Sequence, residues 1–224
     1  KPPAEPVQGR ARAKPSASGP PGWLPPNPAK AQASGPHERK AEKDSGLLLP
    51  DVCFSTETRS LLCALESKNR YTWAHSMRVA HMAVLLGGRL GLSPERMRIL
   101  RQGGVLHDVG KIALADELLD KEAPLTDREH RRVEAHAAIG SSLVRQLEGA
   151  PGVARAVRHH HERWDSGGYP DGLEAGDIPL AGRLLAVADA FDAMRSDRPY
   201  RPKLTKSRIA LEFRRGRGTQ FDPA

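Results

Sequence analysis

The feature that most constrains the fold of this chain is a histidine within the apolar stripe of each of two long helical segments. Over 72–91, apolar positions recur every three or four residues, as on one face of an α-helix, and the stripe consists of His75, Val79, Met82, Leu86 and Leu90. A second stripe, over 126–147, consists of Val133, His136, Gly140 and Leu143. We therefore expect His75 and His136 to face a protein core. Because an unpaired buried ionisable group costs on the order of several kcal/mol, these histidines need partners.

Helical periodicity continues through most of the chain from about Gly46. Ser93 with Pro94 is typical of a helix cap and first turn, and Thr126 with Glu129 is typical of a capping box. We predict helices over 51–67, 72–91, 93–106, 126–147, 151–163, 180–196 and 204–214. Neither two-residue alternation nor an internal repeat is found. The prediction is an all-α fold.

The first 47 residues differ in composition from the remainder. They contain ten of the 19 prolines and eight Lys or Arg against four Asp or Glu, which is half of the net charge of +8. Because such a segment buries little apolar surface, we predict a disordered linker or tail over 1–47, leading from an upstream domain, and a folded domain over 48–224. This placement of the charge argues against specific nucleic-acid binding.

Compartment signals are few. The chain has no run of 18 apolar residues and does not begin with a signal peptide, so no membrane span is predicted. Its two cysteines are too few for a disulfide framework. The prediction is a cytoplasmic protein or the cytoplasmic part of a longer one.

The segment LHDVGKI at 106–112 places His107 and Asp108 side by side at the predicted end of a helix. Both can bind metal ions, and a carboxylate can bridge two of them. Lys111 follows within one turn, where its ammonium group can meet a phosphate. Alone, the His-Asp pair is common, and a capping contact would explain it. Its position between the two inward-facing histidines favours a metal site.

Taken in order, these motifs resemble those of the HD-GYP family, metal-dependent phosphohydrolases that hydrolyse cyclic di-GMP. The resemblance covers about 60–223 and includes HSMRVAHMA, LHDVGKIALADELLDK, AHAAIGSSLV, the HHERWD run ending in GYP, IPLAGRLLAVADAFDAMRSDRPYR and GTQFDP. It implies an HD-type helical bundle enclosing a metal site. The implied activity converts cyclic di-GMP to linear pGpG and, with further hydrolysis, GMP, which lowers a bacterial second messenger in signal transduction.

The resemblance also implies a metal site with two ions and assigns its ligands. From the three histidines at 159–161, the family's frame selects His160 and His161 and leaves His159 as a surface residue or an outer neighbour of the site. The implied ligands, with Asp108 bridging, are His75, His107, Asp108, His136, His160, His161 and Asp189. Five imidazoles and two carboxylates suit first-row divalent ions such as Fe or Mn, rather than a closed zinc site or an all-oxygen magnesium site.

The remaining implied roles concern the substrate. Asp108 and Lys111 are the catalytic residues, with Lys111 on the phosphate. The entrance for cyclic di-GMP is shaped by Gly168, Tyr169 and Pro170, while Arg198 and Arg201 contact the other phosphate and a guanine edge. Alone, such a triplet is usually a surface turn, and such arginines are often solvated surface charges.

Three positions depart from the family's pattern. Tyr71 stands where some members have a Glu that helps to hold a third metal ion, so two ions are predicted. Ser166 stands where a Gly is common; if positive φ is needed there, the loop is altered. The chain ends at Ala224, before a further helix, so the domain is expected to be short at its C-terminus.

Two alternatives to the phosphodiesterase stay open. One is a non-catalytic receptor or scaffold that binds a cyclic dinucleotide or a diguanylate cyclase, which the presence of all seven implied ligands disfavours. The other is an HD hydrolase for another nucleotide, which the GYP and SDRPYR segments disfavour. The expected partners are cyclic di-GMP and an upstream sensory or receiver domain or a diguanylate cyclase.

Overall fold

The computed structural model describes residues 54–121, 123–147, 150–197 and 202–224. These ranges contain the α-helices α1 (Thr56–Lys68), α2 (Arg70–Arg89), α3 (Pro94–Leu106), α4 (Asp116–Leu119), α5 (Asp127–Val144), α6 (Pro151–Arg158), α7 (Leu180–Arg195) and α8 (Lys206–Gly216). Two short 3-10 helices span Val109–Ala113 and Ala175–Asp177. Extended pairing within these ranges is limited to two isolated bridges, so the all-α prediction is confirmed. The predicted tail, 1–47, lies outside the described residues.

Polar caps explain where the helices begin. The side chains that accept a hydrogen bond from a first-turn backbone N–H are Ser55, Asn69, Ser93, Thr126 and Thr205. Such bonds satisfy donors that have no partner within the helix. The predicted cap at Ser93 and the predicted box of Thr126 with Glu129 are both confirmed. Among the described helices, none has both the length and the apolar content to cross a membrane.

Two sequence-based details are wrong. The helix predicted over 151–163 ends at Arg158, and the amide of Glu162 instead donates to the His159 carbonyl oxygen at 3.3 Å, which closes a turn. The run of histidines therefore lies in a turn after α6. The apolar stripe of α2 also stops early: α2 ends at Arg89, and Leu90 is 59% exposed.

The core lies where α2, α3, α6 and α7 meet. One buried cluster joins these helices through Val79, Ala83, Leu100, Ala156, Leu185 and Ala188. A second cluster adds α1 and the end of α5, with members such as Leu62, Val105 and Val144. Small residues let α2 and α3 approach closely. A β-carbon at Gly104 would lie 2.7 Å from the β-carbon of Ala80.

This helix contact gives a stability prediction. Gly104→Ala should lower the free energy of unfolding by about 1–3 kcal/mol, because the added methyl group overpacks the contact between α2 and α3. Gly88→Ala is the matched control, since a β-carbon there meets nothing within 4 Å. That change should be neutral or stabilising by up to about 1 kcal/mol. Urea unfolding of both variants measures the difference, and equal losses would contradict the close contact.

Candidate metal centre

The seven residues that the resemblance implies as ligands are brought together from five segments of the chain. His75 lies in α2, His107 and Asp108 follow α3, His136 lies in α5, the 160–161 pair follows α6, and Asp189 lies in α7. They form three overlapping groups, in each of which one ligand atom per residue lies within 4.8 Å of the others. The groups are His136, His160, His161; His75, His107, Asp189; and His107, Asp108, His160.

Three of the imidazoles share one orientation. The Nδ1 atoms of His107, His136 and His160 lie 2.8, 2.6 and 2.7 Å from the carbonyl oxygens three residues earlier, those of Gly104, Val133 and Val157. A carbonyl only accepts, so each Nδ1 must donate its proton. In the neutral ring this leaves Nε2 unprotonated, with its lone pair available to a metal ion.

The lone pairs of two of these rings face each other. The Nε2 atoms of His136 and His160 lie 3.4 Å apart, and both side chains are buried. Burial lowers the pKa of His136 to about 4 and lowers that of His160 well below its usual range. Both rings are therefore neutral at pH 7, and no proton is shared between them. A buried cation between the two nitrogens would remove this unfavourable contact.

Asp108 occupies the middle of the cluster. Its carboxylate oxygens lie 3.6 Å from His107 Nε2, 3.4 Å from His136 Nε2 and 2.7 Å from Lys111 Nζ. Burial would raise the pKa of Asp108, but the Lys111 ammonium and the neighbouring imidazoles hold it well below its usual value. An ionised carboxylate between the groups is suited to bridging.

Gly110 fixes the turn that presents these groups. A β-carbon at 110 would collide with the carbonyl oxygen of His136 and would lie 2.6 Å from the Gly140 amide nitrogen. The turn thus rests directly on the backbone of α5. This close approach aligns Asp108 and Lys111 with the histidine of α5.

His75 is held by Asp189 within the cluster and, from outside it, by Asp192 and Arg78, which the sequence analysis did not assign to the site. Its Nε2 lies 3.1 Å from Asp189 Oδ1, and its Nδ1 lies 2.8 Å from Asp192 Oδ2. Burial would lower the pKa of His75, but these two carboxylates raise it to about 9. Asp192 also accepts two hydrogen bonds from Arg78, at 2.8 and 2.9 Å. Asp192 and Arg78 therefore orient a candidate ligand, as outer partners do at metal sites.

The spacing of Arg78 and Asp192 in the sequence is a weak signal of their role. Arg78 follows His75 by three residues on α2, and Asp192 follows Asp189 by three on α7. Matched spacing on two helices places both outer partners on the faces that carry the candidate ligands.

The loop after His161 forms one wall of the site. The ring of Tyr169 lies 4.8 Å from that of His161, centroid to centroid, with 31° between their planes. Burial raises the pKa of the phenol well above its usual value, so the hydroxyl stays protonated. Within the described residues this hydroxyl makes no hydrogen bond. A β-carbon at Gly168 would lie 2.5 Å from the Glu162 α-carbon, so only glycine fits there.

Glu162 organises the same loop and was also missed. Its buried carboxylate accepts hydrogen bonds from the amides of Asp171 at 2.9 Å and Leu173 at 3.1 Å. Ser166, the departure from the family's usual Gly, has a φ of 63°. The loop thus keeps a left-handed residue at this position, at a cost of about 1–2 kcal/mol for a residue with a β-carbon.

His159 points away from the main cluster. It is buried rather than at the surface, with Nδ1 3.5 Å from Glu162 and 3.6 Å from Asp171. Both carboxylates are already engaged, because Arg158 binds Asp171 through two hydrogen bonds of 2.6 and 2.7 Å and Glu162 binds backbone amides. This group therefore belongs to the structure of the loop. Arg198 and Arg201 lie outside the described residues.

Comparison with protein families gives a match to the HD domain family over residues 59–224. The chain is 42% identical to a cyclic di-GMP phosphodiesterase response regulator of Xanthomonas campestris, over 75% of this chain and 45% of that protein. It is 35% identical to a 3′3′-cGAMP-specific phosphodiesterase of Vibrio cholerae, over 73% of this chain and 32% of that protein. The chain thus spans less than half the length of these relatives.

Among solved structures, the chain resembles a cyclic GMP-AMP specific phosphodiesterase of Vibrio cholerae. The TM-score is 0.56 at 18% identity, and the match covers 74% of this chain and 45% of the other. At this identity the likeness shows a shared fold. The family expectation drawn from the sequence is confirmed by these matches.

The buried imidazoles predict how stability depends on pH once metal is removed. The pKa of His136 is lowered to about 4 and that of His161 to about 3, mainly by burial. Below about pH 6.5, the usual pKa of a histidine, these imidazoles are protonated in the unfolded chain but stay neutral in the native state. The free energy of unfolding therefore falls as pH is lowered toward 4. The raised pKa of His75, about 9, acts oppositely: its contribution is full below about pH 6.5 and is lost as pH rises through 9.

Thermal unfolding of chelator-treated protein at constant ionic strength measures this dependence. We expect the melting temperature to fall by on the order of 10 °C between pH 7 and pH 5. The fall should be shallower in His161→Gln, which has one such imidazole fewer. A flat profile over this range would show that the imidazoles are not buried as described.

Proposed function

This chain belongs to the HD domain family, and from that membership we propose that it is a metal-dependent phosphodiesterase that hydrolyses cyclic di-GMP. The observation that carries the proposal is the convergence of unprotonated imidazole nitrogens in a buried site, above all the Nε2 atoms of His136 and His160 at 3.4 Å. The names of two relatives at 42% and 36% identity supply the substrate.

The donor set fits two divalent metal ions. We assign one ion to His75, His107, Asp108 and Asp189, and the other to His136, His160, His161 and Asp108. Nitrogen-rich mixed sets of this kind favour Fe or Mn over Mg or Ca, which prefer oxygen ligands. When bound, such a pair of ions activates water at neutral pH and neutralises charge on a phosphodiester.

Hydrolysis adds one water molecule across a phosphodiester of the ring. The water oxygen bonds to phosphorus, the bond between phosphorus and the 3′ oxygen breaks, and a proton passes to that oxygen, which gives linear pGpG. Lys111 is suited to this step, since its ammonium group lies at the site, 2.7 Å from Asp108. It can stabilise the charge that develops on the phosphate or protonate the leaving oxygen.

The loop of Gly168, Tyr169 and Pro170 is assigned to the substrate. The Tyr169 hydroxyl is protonated and makes no hydrogen bond with the described residues, which leaves it available as a donor to a phosphate or a base. We also propose that Arg198 and Arg201 contact the second phosphate and a guanine edge. We propose that 48–224 forms the catalytic domain and acts in the cytoplasm. Its proposed partner is a sensory or receiver domain or a diguanylate cyclase.

A second candidate substrate is 3′3′-cGAMP. Relatives named for specificity toward it are 35% identical to this chain. The two cyclic dinucleotides share the phosphodiesters on which the site would act and differ in one base. Both should therefore be assayed side by side.

Chromatography of products from the metal-loaded protein tests the function. We expect pGpG from cyclic di-GMP. Asp108→Ala should lower turnover by more than about 100-fold, because loss of an outer partner of a metal ligand already lowers activity by about 10- to 100-fold and a bridging ligand contributes more. Asp116→Ala, an exposed aspartate on α4, is the control and should keep full activity. Lys111→Met should impair turnover while metal content stays unchanged. Full activity in Asp108→Ala would overturn the proposal, and turnover of 3′3′-cGAMP alone would favour the second substrate.

Elemental analysis tests the metal assignment. Protein purified without chelators should contain two ions per chain, because Tyr71 is a poor ligand where a third ion would need a Glu. With only two ions, pGpG should accumulate ahead of GMP. His161→Ala should lose metal, whereas His159→Ala should retain it, because its ring faces Glu162 and Asp171. The reverse result would shift the ligand frame by one residue.

A further inference from the structure

The closing GTQFDP motif and the Trp-Asp pair of the histidine motif meet in the structure, although neither has a part in the proposed chemistry. The amide of Asp165 donates to the carbonyl oxygen of Thr219 at 2.9 Å, and the amide of Trp164 donates to that of Gln220 at 3.4 Å. Two backbone hydrogen bonds thus join the start of the substrate loop to the end of the chain.

The end of the chain is itself fixed to the bundle. Phe221 is buried against α7 and α8, in a cluster with Ala190, Met194 and Ile209. Its ring centroid lies 5.0 Å from that of Phe213. The turn before it is tight, since the amide of Gly218, with φ of 76°, donates to the Phe221 carbonyl oxygen at 2.9 Å. The carbonyl groups of 219 and 220 are therefore presented to the loop from an anchored segment.

Arg183 on α7 contacts both the substrate loop and the C-terminal segment. Its Nη1 donates to Asp222 Oδ2 at 2.6 Å, and its guanidinium carbon lies 5.7 Å from the centroid of the Trp164 ring. Both charged side chains are only 21% exposed, so water screens the pair incompletely. One guanidinium thus contacts a loop residue and a C-terminal residue from a position six residues before Asp189.

We propose that Arg183 and Asp222 are positioning residues that brace the substrate loop, 162–175, against α7. The brace sets the distance between the ring of Tyr169 and the candidate ligand Asp189. Neither residue belongs to the groups of candidate metal ligands or to the residues assigned to the substrate. The effect on catalysis rests on the proposed phosphodiesterase function, whereas the effect on the loop does not.

Backbone hydrogen bonds within the loop connect Trp164 with Ala175 and hold Tyr169 next to His161. The Ala175 amide donates to the Trp164 carbonyl oxygen at 3.0 Å, and the Tyr169 amide donates to the His161 carbonyl oxygen at 3.2 Å. The bridge between Asp165 and Glu174 closes the base of the loop. Releasing Trp164 and Asp165 from the C-terminal segment should therefore loosen the whole loop.

Hydrogen exchange of Asp222→Asn, measured without substrate, tests the brace. We expect faster exchange of amides in 164–175 of the substrate loop and unchanged exchange in α2. The control is Glu212→Gln, which breaks an ion pair of 2.9 Å with Arg208 on α8 and should leave the loop as it was. Unchanged exchange at 164–175 would overturn the proposal, as would an equal increase in α2, which would mark a general loss of stability.

Kinetics give a second readout if cyclic di-GMP is hydrolysed. Asp222→Asn should raise KM about fivefold, the size expected for losing a partly exposed charged contact, with kcat and metal content little changed. Asp222→Glu should recover most of the loss. Should Asp222→Asn fail to fold, Arg183→Lys keeps the charge but loses the planar contact with Trp164, and the same exchange criteria apply. Absence of hydrolysis would count against the proposed function and leave the exchange result to decide the brace.

Discussion

Three imidazoles whose Nδ1–H groups are tied to carbonyl oxygens determine how this molecule is built. Because His107, His136 and His160 are fixed in this way, their Nε2 lone pairs must point into one buried space. Such an arrangement is unfavourable unless a positive charge enters it. The surrounding fold has to hold the rings in place against this repulsion, and the close glycine contacts serve that purpose.

Rigid backbone contacts supply much of this support. The turn at Gly110 lies directly on α5, and Gly104 lies directly on Ala80 of α2. Because no side chain larger than the Ala80 methyl group lies between these elements, a movement of one would displace the next. The ionised Asp108 and Asp189 add negative charge to this space, which increases its attraction for cations.

The sequence predicted the all-α fold, two caps and a shared site for the inward-facing His75 and His136, because these follow from local spacing and chemistry. It did not reveal Arg78, Asp192 or Glu162. The contact of Arg78 with Asp192 spans 114 residues, and Glu162 acts on backbone amides, which leave no pattern in a sequence. The end of α6 was also misplaced, since no Gly or Pro follows Arg158 until Gly167 to mark it.

Ser166 and Gly168, two residues apart, differ in what the loop requires of them. Ser166 adopts a left-handed φ, yet a serine has fewer backbone conformations than a glycine in the unfolded chain and so loses less entropy on folding. This entropy difference partly offsets the strain of the φ angle. At Gly168 no such compensation exists, because the space for a β-carbon is taken by backbone atoms. Tolerance to substitution along this loop is therefore governed by room around each α-carbon more than by its backbone angles.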